Sequence, residues 1–207
     1  MKILQFAIII LSHNMLKFLP YSVLRLLSVP IGTVYFLCTF RSSIKLFKRK
    51  VIFKELKIKY NPLNVKINYT RYWLETLWLT NKNFSKQIEP YVEIENIEYV
   101  DKLKKQYTGL IFALPHLGNW EFAIPIGNSI KLNLLAVAEP LNNSYVLNWF
   151  KSLRESLGIE IIIGGKGQNT FDSLVEKLKS GKDICLLSER SIKKSGVATE
   201  FFGQLAA

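Results

Sequence analysis

The sequence predicts an α/β fold: an open, mostly parallel sheet with flanking helices, preceded by an apolar N-terminal helical membrane anchor. Three observations carry this reading. Four short apolar runs in the second half each end in turn or charged residues. Amphipathic helical stripes lie between them. The first 40 residues are almost free of charge. Short apolar runs closed by turn residues suit strands buried on both faces of a parallel sheet, and their alternation with helices implies right-handed crossovers.

Residues 3–16 carry no full charge, and neither do residues 26–40. Neither run reaches the ~18 apolar residues of a spanning helix, and Pro20, Arg25 and Pro30 interrupt the combined stretch. Residues around Ser12, His13 and Asn14 give no small-x-small cleavage pattern, so residues 1–40 read as an uncleaved anchor or an interfacial hairpin. A basic run follows: Arg41, Lys45, Lys48, Arg49, Lys50, Lys54, Lys57 and Lys59 against Glu55 alone. Beside an anchor, such a run favours the cytoplasmic face and an anionic leaflet.

Residues 68–80 show helical apolar spacing through Tyr69, Tyr72, Trp73, Thr76, Leu77 and Thr80. Residues 89–98 read as extended, with Val92, Ile94 and Ile97 among acids. Residues 109–114, 133–138, 158–163 and 183–187 are the four apolar runs. Tyr145, Val146, Trp149, Phe150, Leu153 and Leu157 form one helical stripe; Phe171, Leu174, Val175 and Leu178 form another, with Gly181 at a C′ position. Residues 41–207 thus form one domain. Its apolar end, residues 201–207, has no cap or polar tail and reads as a domain cut short at its C-terminus.

The net charge of +12 and pI near 9.6 draw the chain to anions: lipid headgroups, nucleic acid or phosphorylated substrates. The mean hydropathy of +0.14 is high for a soluble protein and low for a polytopic one. Cys38 and Cys185 sit in apolar runs and read as small buried hydrophobes, not as a disulfide or a zinc site. No nucleic-acid motif accompanies the basic run, so no nucleic acid is expected.

Chemistry concentrates in Pro115-His116-Leu117-Gly118-Asn119-Trp120-Glu121. His116 falls at the carboxyl end of the first strand, where open α/β sheets bind ligands. Asn119 is a natural N-cap for a helix starting at Trp120, and Glu121 lies in the first turn of that helix, which favours a carboxylate. A strand–turn–helix corner can bring Glu121 to His116, fix its tautomer and leave the other nitrogen as a general base. A histidine after a strand also serves as a cap or a satisfied core group, and the residues alone leave both roles open. Pro125 makes the following helix short or kinked. No Gly-x-Ser-x-Gly elbow occurs, and two histidines do not make a His-Glu-x-x-His zinc site, so no metal is expected. Gly164-Gly165-Lys166-Gly167 imitates a phosphate loop but lacks its Gly-Lys-Ser/Thr ending, and Thr170 stands where a dinucleotide fingerprint needs glycine; it reads as a turn.

The run from Leu114 to Glu121 resembles the His-x4-Asp/Glu motif of the lipid A biosynthesis acyltransferase family, which includes lauroyl and myristoyl transferases and bacterial phosphatidylinositol mannoside acyltransferases. Further stretches agree in order: Val137-Ala138-Glu139, Arg154 through Gly158, Glu189-Arg190 where the family often has Asp-Arg, and Gly196-Val197 through Phe201-Phe202-Gly203. Tyr69-Thr70-Arg71-Tyr72-Trp73-Leu74-Glu75 and the Ala113-Leu114-Pro115-His116 opening are similar to the mannoside acyltransferases.

The resemblance implies an O-acyltransferase that moves a fatty acyl chain to a glycolipid hydroxyl. The expected acceptor is a phosphatidylinositol mannoside first and a lipid A precursor second. The acyl donor is acyl-CoA or acyl carrier protein as co-substrate, with no cofactor. His116, Glu121 and Glu189 are the implied catalytic residues. Arg154 is implied to contact the donor's charged part, helped by Ser195. Glu139 lines the acceptor side, Asn119 belongs to the binding turn, and Arg190 forms a fork-type salt bridge. The apolar stripe of its helix packs elsewhere, which leaves the Arg154 guanidinium free for an anionic donor. Glu189 is one methylene longer than the family's commoner Asp. The anchor and basic run place the protein on the cytoplasmic face of the inner membrane, against anionic lipid. The competing classes are a non-catalytic membrane-binding module and a basic nucleic-acid-binding protein.

Overall fold

A computed structural model of the chain describes residues 2–40, 61–165, 169–188, 199–201 and 204–206. The basic run, Lys166, Gly167, Glu189, Arg190, Ser195, Gly196 and Val197 lie outside the described residues. The chain divides into two compact units. One comprises Met1–Phe18 and Leu79–Glu189, the other Leu19–Trp78 and Arg190–Ala207.

The larger unit holds the sheet. Strands β1 (Ile111–Leu114), β2 (Leu134–Ala138), β3 (Glu160–Ile163) and β4 (Asp183–Leu187) are all parallel, in the order β1-β4-β2-β3. All four apolar runs became strands, within two residues of the expected bounds. Ile111 pairs with Ile184, Leu134 with Asp183 and Leu135 with Glu160. β4 therefore lies between β1 and β2, and the last strand of this sheet brings its carboxyl end between two earlier ones.

In this numbering of the described helices, α1 (Lys2–Leu16), α4 (Phe84–Ile88), α5 (Ile97–Gln106), α6 (Ala123–Ser129), α7 (Ser144–Ser156) and α8 (Thr170–Lys179) belong to the same unit. α7 and α8 are the two helical stripes read from the sequence. Gly181 follows α8 with φ +95°, the left-handed C′ conformation that its position calls for. α6 has only seven residues, with Pro125 in its first turn and the left-handed Lys131 just past its end. Ile124, Leu132, Leu134, Ile159 and Ile161 form the buried core between α6 and the sheet.

The amino ends of the strands are tied together by one buried carboxylate. Asp183 is wholly inside the protein. Its oxygens accept from the backbone N–H of Leu110 at 3.0 Å, the backbone N–H of Asn133 at 2.8 Å and the Lys104 ammonium at 2.9 Å. One side chain thus pairs β1, β2 and β4 with α5, and each of its charge-assisted bonds satisfies a donor that the sheet ladder leaves over.

The smaller unit is built on a helical hairpin, α2 (Tyr21–Cys38) and α3 (Pro62–Trp78). Asn61 caps α3 by accepting from the Leu63 and Asn64 amides. The inner face of α2 is Tyr21, Leu24, Ser28 and Gly32, a near four-residue spacing whose side chains shrink from Tyr21 to Gly32. At Gly32 an added Cβ would sit 2.6 Å from the Ile67 Cα, so the helix backbones approach closely there. The Tyr21 hydroxyl donates to Glu75 at 2.8 Å; burial first, and then the Glu75 charge, push that hydroxyl far above the ordinary phenol range. β5 (Thr199–Phe201) and β6 (Gln204–Ala206) form an antiparallel pair in this unit.

Three expectations are corrected. α2 runs for 18 residues, through Pro30, and is apolar and long enough to cross a membrane by length and composition. Residues 89–98 are not a strand: a 3-10 turn at Glu89–Tyr91 leads to α5 at Ile97, because Pro90 and the left-handed Asn96 break any extended ladder. Cys38 is exposed, since it lies off the four-residue spacing of the face that meets α3, and Cys185 is half-buried in β4. Burial pushes the Cys185 thiol up to about 11, with the Asp183 charge adding to it, so it is no thiolate nucleophile at neutral pH.

Candidate active site

β1 ends at Leu114, and the chain turns at once. The Leu117 N–H donates to the Pro115 carbonyl at 2.8 Å, and Gly118 takes φ +63°, a left-handed corner open to glycine at no steric cost. Asn119 then caps the next element as expected: its Oδ1 accepts from the Glu121 N–H at 3.1 Å, and a 3-10 turn, Trp120–Phe122, runs straight into α6. This strand–turn–helix corner leaves His116 exposed and sends Glu121 inward, where 2% of it remains accessible.

A bare buried carboxylate would be costly, and the partner of Glu121 comes from α7. The Arg154 Nε donates to Oε2 of Glu121 at 3.0 Å and its Nη2 to Oε1 at 2.5 Å. This fork geometry is the strong form of the ion pair. The guanidinium also lies over the Phe150 ring, 5.3 Å from its centre. Arg154 is therefore not free, contrary to the expectation drawn from its place off the apolar stripe of α7. The stripe does pack inward through Val146, Phe150 and Leu153, but Arg154 sits beside it and reaches across to Glu121. The two residues are 33 positions apart, and no local spacing signals the pair.

Trp120 is a site residue that the sequence reading missed. Its ring meets His116 edge-on, with centres 4.9 Å apart. A bulky aromatic against the imidazole limits its rotamers and shields one edge from water. Its place within the motif was the available signal.

The sheet order collects the other candidates at one end. The Ser188 N–H donates to the Leu114 carbonyl at 3.1 Å, which sets the residue before Glu189 beside the residue that precedes Pro115 and His116. The Gly164 N–H donates to the Ala138 carbonyl at 2.9 Å, and Glu139, next in the chain, is exposed at the end of β2. His116, Glu139 and the approach to Glu189 thus share the carboxyl edge of the sheet, where open α/β sheets bind ligands. Glu189, Arg190 and Ser195 themselves are outside the described residues.

The corner presents an exposed imidazole with the Trp120 ring against it, and its following turn carries a buried carboxylate that Arg154 clamps. That arrangement suits proton transfer at the surface of the sheet. Residues 63–207 match the family model of the bacterial lipid A biosynthesis acyltransferases. Two relatives share about a third of the aligned residues. A phosphatidylinositol mannoside acyltransferase of Mycobacterium tuberculosis (strain CDC 1551 / Oshkosh) is 32% identical over 139 residues, which is 66% of this chain and 44% of that protein. The protein of the same name from Mycolicibacterium smegmatis is 33% identical over 141 residues, 66% of this chain and 45% of its own length. The chain matches less than half the length of these curated relatives. With a match over more than two thirds of its residues and the His116-to-Glu121 corner in place, the chain belongs to the bacterial lipid A biosynthesis acyltransferase family.

Proposed function

We propose that this chain forms the catalytic part of an O-acyltransferase that moves a fatty acyl chain from a thioester donor to a hydroxyl of a membrane glycolipid. The observation that carries the reading is the corner itself: an exposed His116 at the carboxyl end of β1, backed by the buried Glu121–Arg154 pair. The acceptor is a phosphatidylinositol mannoside, the substrate named in the relatives at about a third identity. A lipid A precursor is the second reading, favoured by the family's own description.

In this mechanism His116 takes the proton of the acceptor hydroxyl as its oxygen attacks the thioester carbonyl. The C–O bond forms, the C–S bond breaks, and the leaving thiolate of coenzyme A or of acyl carrier protein receives the proton from His116. Glu121 and Arg154 act as a positioning pair. They fasten the turn that carries His116 to α7, and the carboxylate stabilises the imidazolium as it forms. By the family resemblance, Glu139 and Glu189 serve the acceptor side, Ser195 helps with the donor and Arg190 makes a fork-type salt bridge. Contact between Arg154 and the donor's anionic part comes second to its grip on Glu121.

The apolar exposure of α1 and α2 supports attachment to a membrane. Leu4, Ile8, Leu11 and Met15 lie along one face of α1 at i, i+4, i+7 and i+11, and Phe18 follows just past its end, all more than half exposed. α2 is accompanied along its length by α3, which carries Lys66, Arg71 and Glu75, so the hairpin suits the interface better than a span. We assign the cytoplasmic face of the inner membrane on the basic run. The test of the acyl-transfer reading is incubation of the membrane-reconstituted chain with acyl-CoA or acyl carrier protein donors and phosphatidylinositol mannoside, with product read by mass spectrometry. An acylated mannoside from the native chain, absent with His116→Ala, is expected. No transfer to the mannoside, with transfer to a lipid A precursor, would select the second reading.

A further inference from the structure

Residues 79–86 of the larger unit, with Pro125 of α6 and with Ser156 and Leu157 at the end of α7, form an open groove of about 600 Å³. No residue of the strands or of the turns at their carboxyl ends lines it, so it lies apart from the edge that carries His116. Leu79 and Phe84 are buried, and with Pro125 and Leu157 they give the groove an apolar base. The Phe84 ring is seated against Phe122, with centres 5.3 Å apart. Asn81 sets the course of the loop. Its Nδ2 donates to the Lys17 carbonyl at 2.7 Å, and its Oδ1 accepts from the Asn83 N–H at 2.7 Å and from the Gln87 side-chain amide at 3.2 Å. A loop fastened in this way is preorganised, so a ligand does not bear the entropy of ordering it.

Lys82, Asn83, Ser85 and Lys86 are exposed around this base. Among the described residues, none of these four side chains has a hydrogen-bond or ion-pair partner. No acid lines the groove, and Glu155, the acid beside Ser156, pairs with Lys151 at 3.7 Å. An unpaired lysine at the surface is ordinary by itself. Two of them over an apolar base, with an amide and a hydroxyl between them in the chain, make a concave site with an excess of positive charge and open donors. The groove also begins where α1 ends: Asn81 holds the Lys17 carbonyl, and the Thr80 hydroxyl stands 3.5 Å from Nε2 of His13. Leu11 and Met15 on α1, and Phe18 just past it, are more than half exposed, so lipid-like surface runs up to the segment that holds the loop.

We propose that this groove takes the headgroup of an anionic phospholipid that carries free hydroxyls, of the phosphatidylglycerol kind. Lys82 and Lys86 meet the phosphate, Asn83 and Ser85 meet the hydroxyls, and the first acyl carbons rest on the apolar base. The groove would seat a lipid whether or not the chain transfers acyl groups, so its test is independent of the acyl-transfer reading.

The test is titration of the full chain in neutral detergent with short-chain phosphatidylglycerol, short-chain phosphatidylcholine of the same chain length, or glycerol phosphate, followed through the amide NMR signals of residues 82–86. The glycerol lipid is expected to shift those signals saturably, with an apparent Kd at least about tenfold below that of the choline lipid or of glycerol phosphate. Lys82→Gln together with Lys86→Gln should weaken the glycerol lipid by about tenfold or more in a folded protein, since both side chains are exposed. The control removes the same charge elsewhere: Lys105→Gln together with Lys179→Gln, also at exposed positions, should leave the Kd within about twofold. Native affinity in the Lys82 and Lys86 variant, or an equal loss in the control, would overturn the groove as the site. A choline lipid or glycerol phosphate that binds as tightly as the glycerol lipid would overturn the anionic-lipid assignment.

Discussion

Glu121 and Arg154 set the stability and the activity of the corner by different routes. Removing one partner of a buried ion pair strands the other charge, which costs about 3–5 kcal/mol, whereas replacing both with apolar groups is close to neutral. Arg154→Ala should therefore lower the denaturation midpoint sharply, and Glu121→Leu with Arg154→Met should recover most of the loss without recovering activity. A urea titration of the two variants checks this. If Arg154→Ala leaves stability unchanged and raises only the KM for the acyl donor, Arg154 belongs to the donor site and not to the clamp on Glu121. The motif residues His116, Asn119 and Glu121 were legible in the sequence because a strand end, a cap and a helix start occupy consecutive positions. The clamp was not, because it joins residues from two different helical elements across the fold.

Among the elements, the sheet rests on Asp183 more than on any surface pair. Asp183→Ala should cost about 3–5 kcal/mol, since it strands Lys104 beside two unsatisfied amides. Lys151 and Glu155, at 3.7 Å and both over 40% exposed, should give no more than about 0.5 kcal/mol when broken. Glu160 offers a pH signature. Its hydrogen bonds to Lys177 first and to Lys182 next hold its carboxyl below the ordinary value of 4.5. That contribution is fully present above the ordinary value and disappears as pH falls through the lowered folded one. The stability gap between the native chain and Glu160→Gln should thus be constant near neutrality and close in acid; a gap that widens in acid would contradict the pairing. The strands and the helices α7 and α8 were readable because continuous apolar runs and 3.6-residue stripes are strong periodic signals. Residues 89–98 misled because alternating apolar and acidic residues imitate a strand, while Pro90 and Asn96 decide the backbone. The strand order was not readable, since no local pattern says that β4 returns between β1 and β2.

At the scale of the whole molecule, the exposed apolar faces of α1 and α2 and the basic run between α2 and α3 predict a stable membrane association. Fractionation should find the chain in the membrane pellet, and deletion of residues 1–40 should release it. Full recovery of the undeleted chain in the soluble fraction would contradict the attachment. The central claim is acyl transfer at His116. General-base loss costs about 10² to 10⁴ in rate, and His116 is exposed, so His116→Ala should leave the fold intact. Glu121→Gln should lower kcat with little change in KM, because its charge acts as the proton moves. The most direct measurement is steady-state transfer of a labelled acyl chain to phosphatidylinositol mannoside by the native and His116→Ala proteins at equal folded concentration. The account predicts turnover by the native chain and a loss of about 10² or more with His116→Ala; near-native kcat in a folded His116→Ala protein would contradict it.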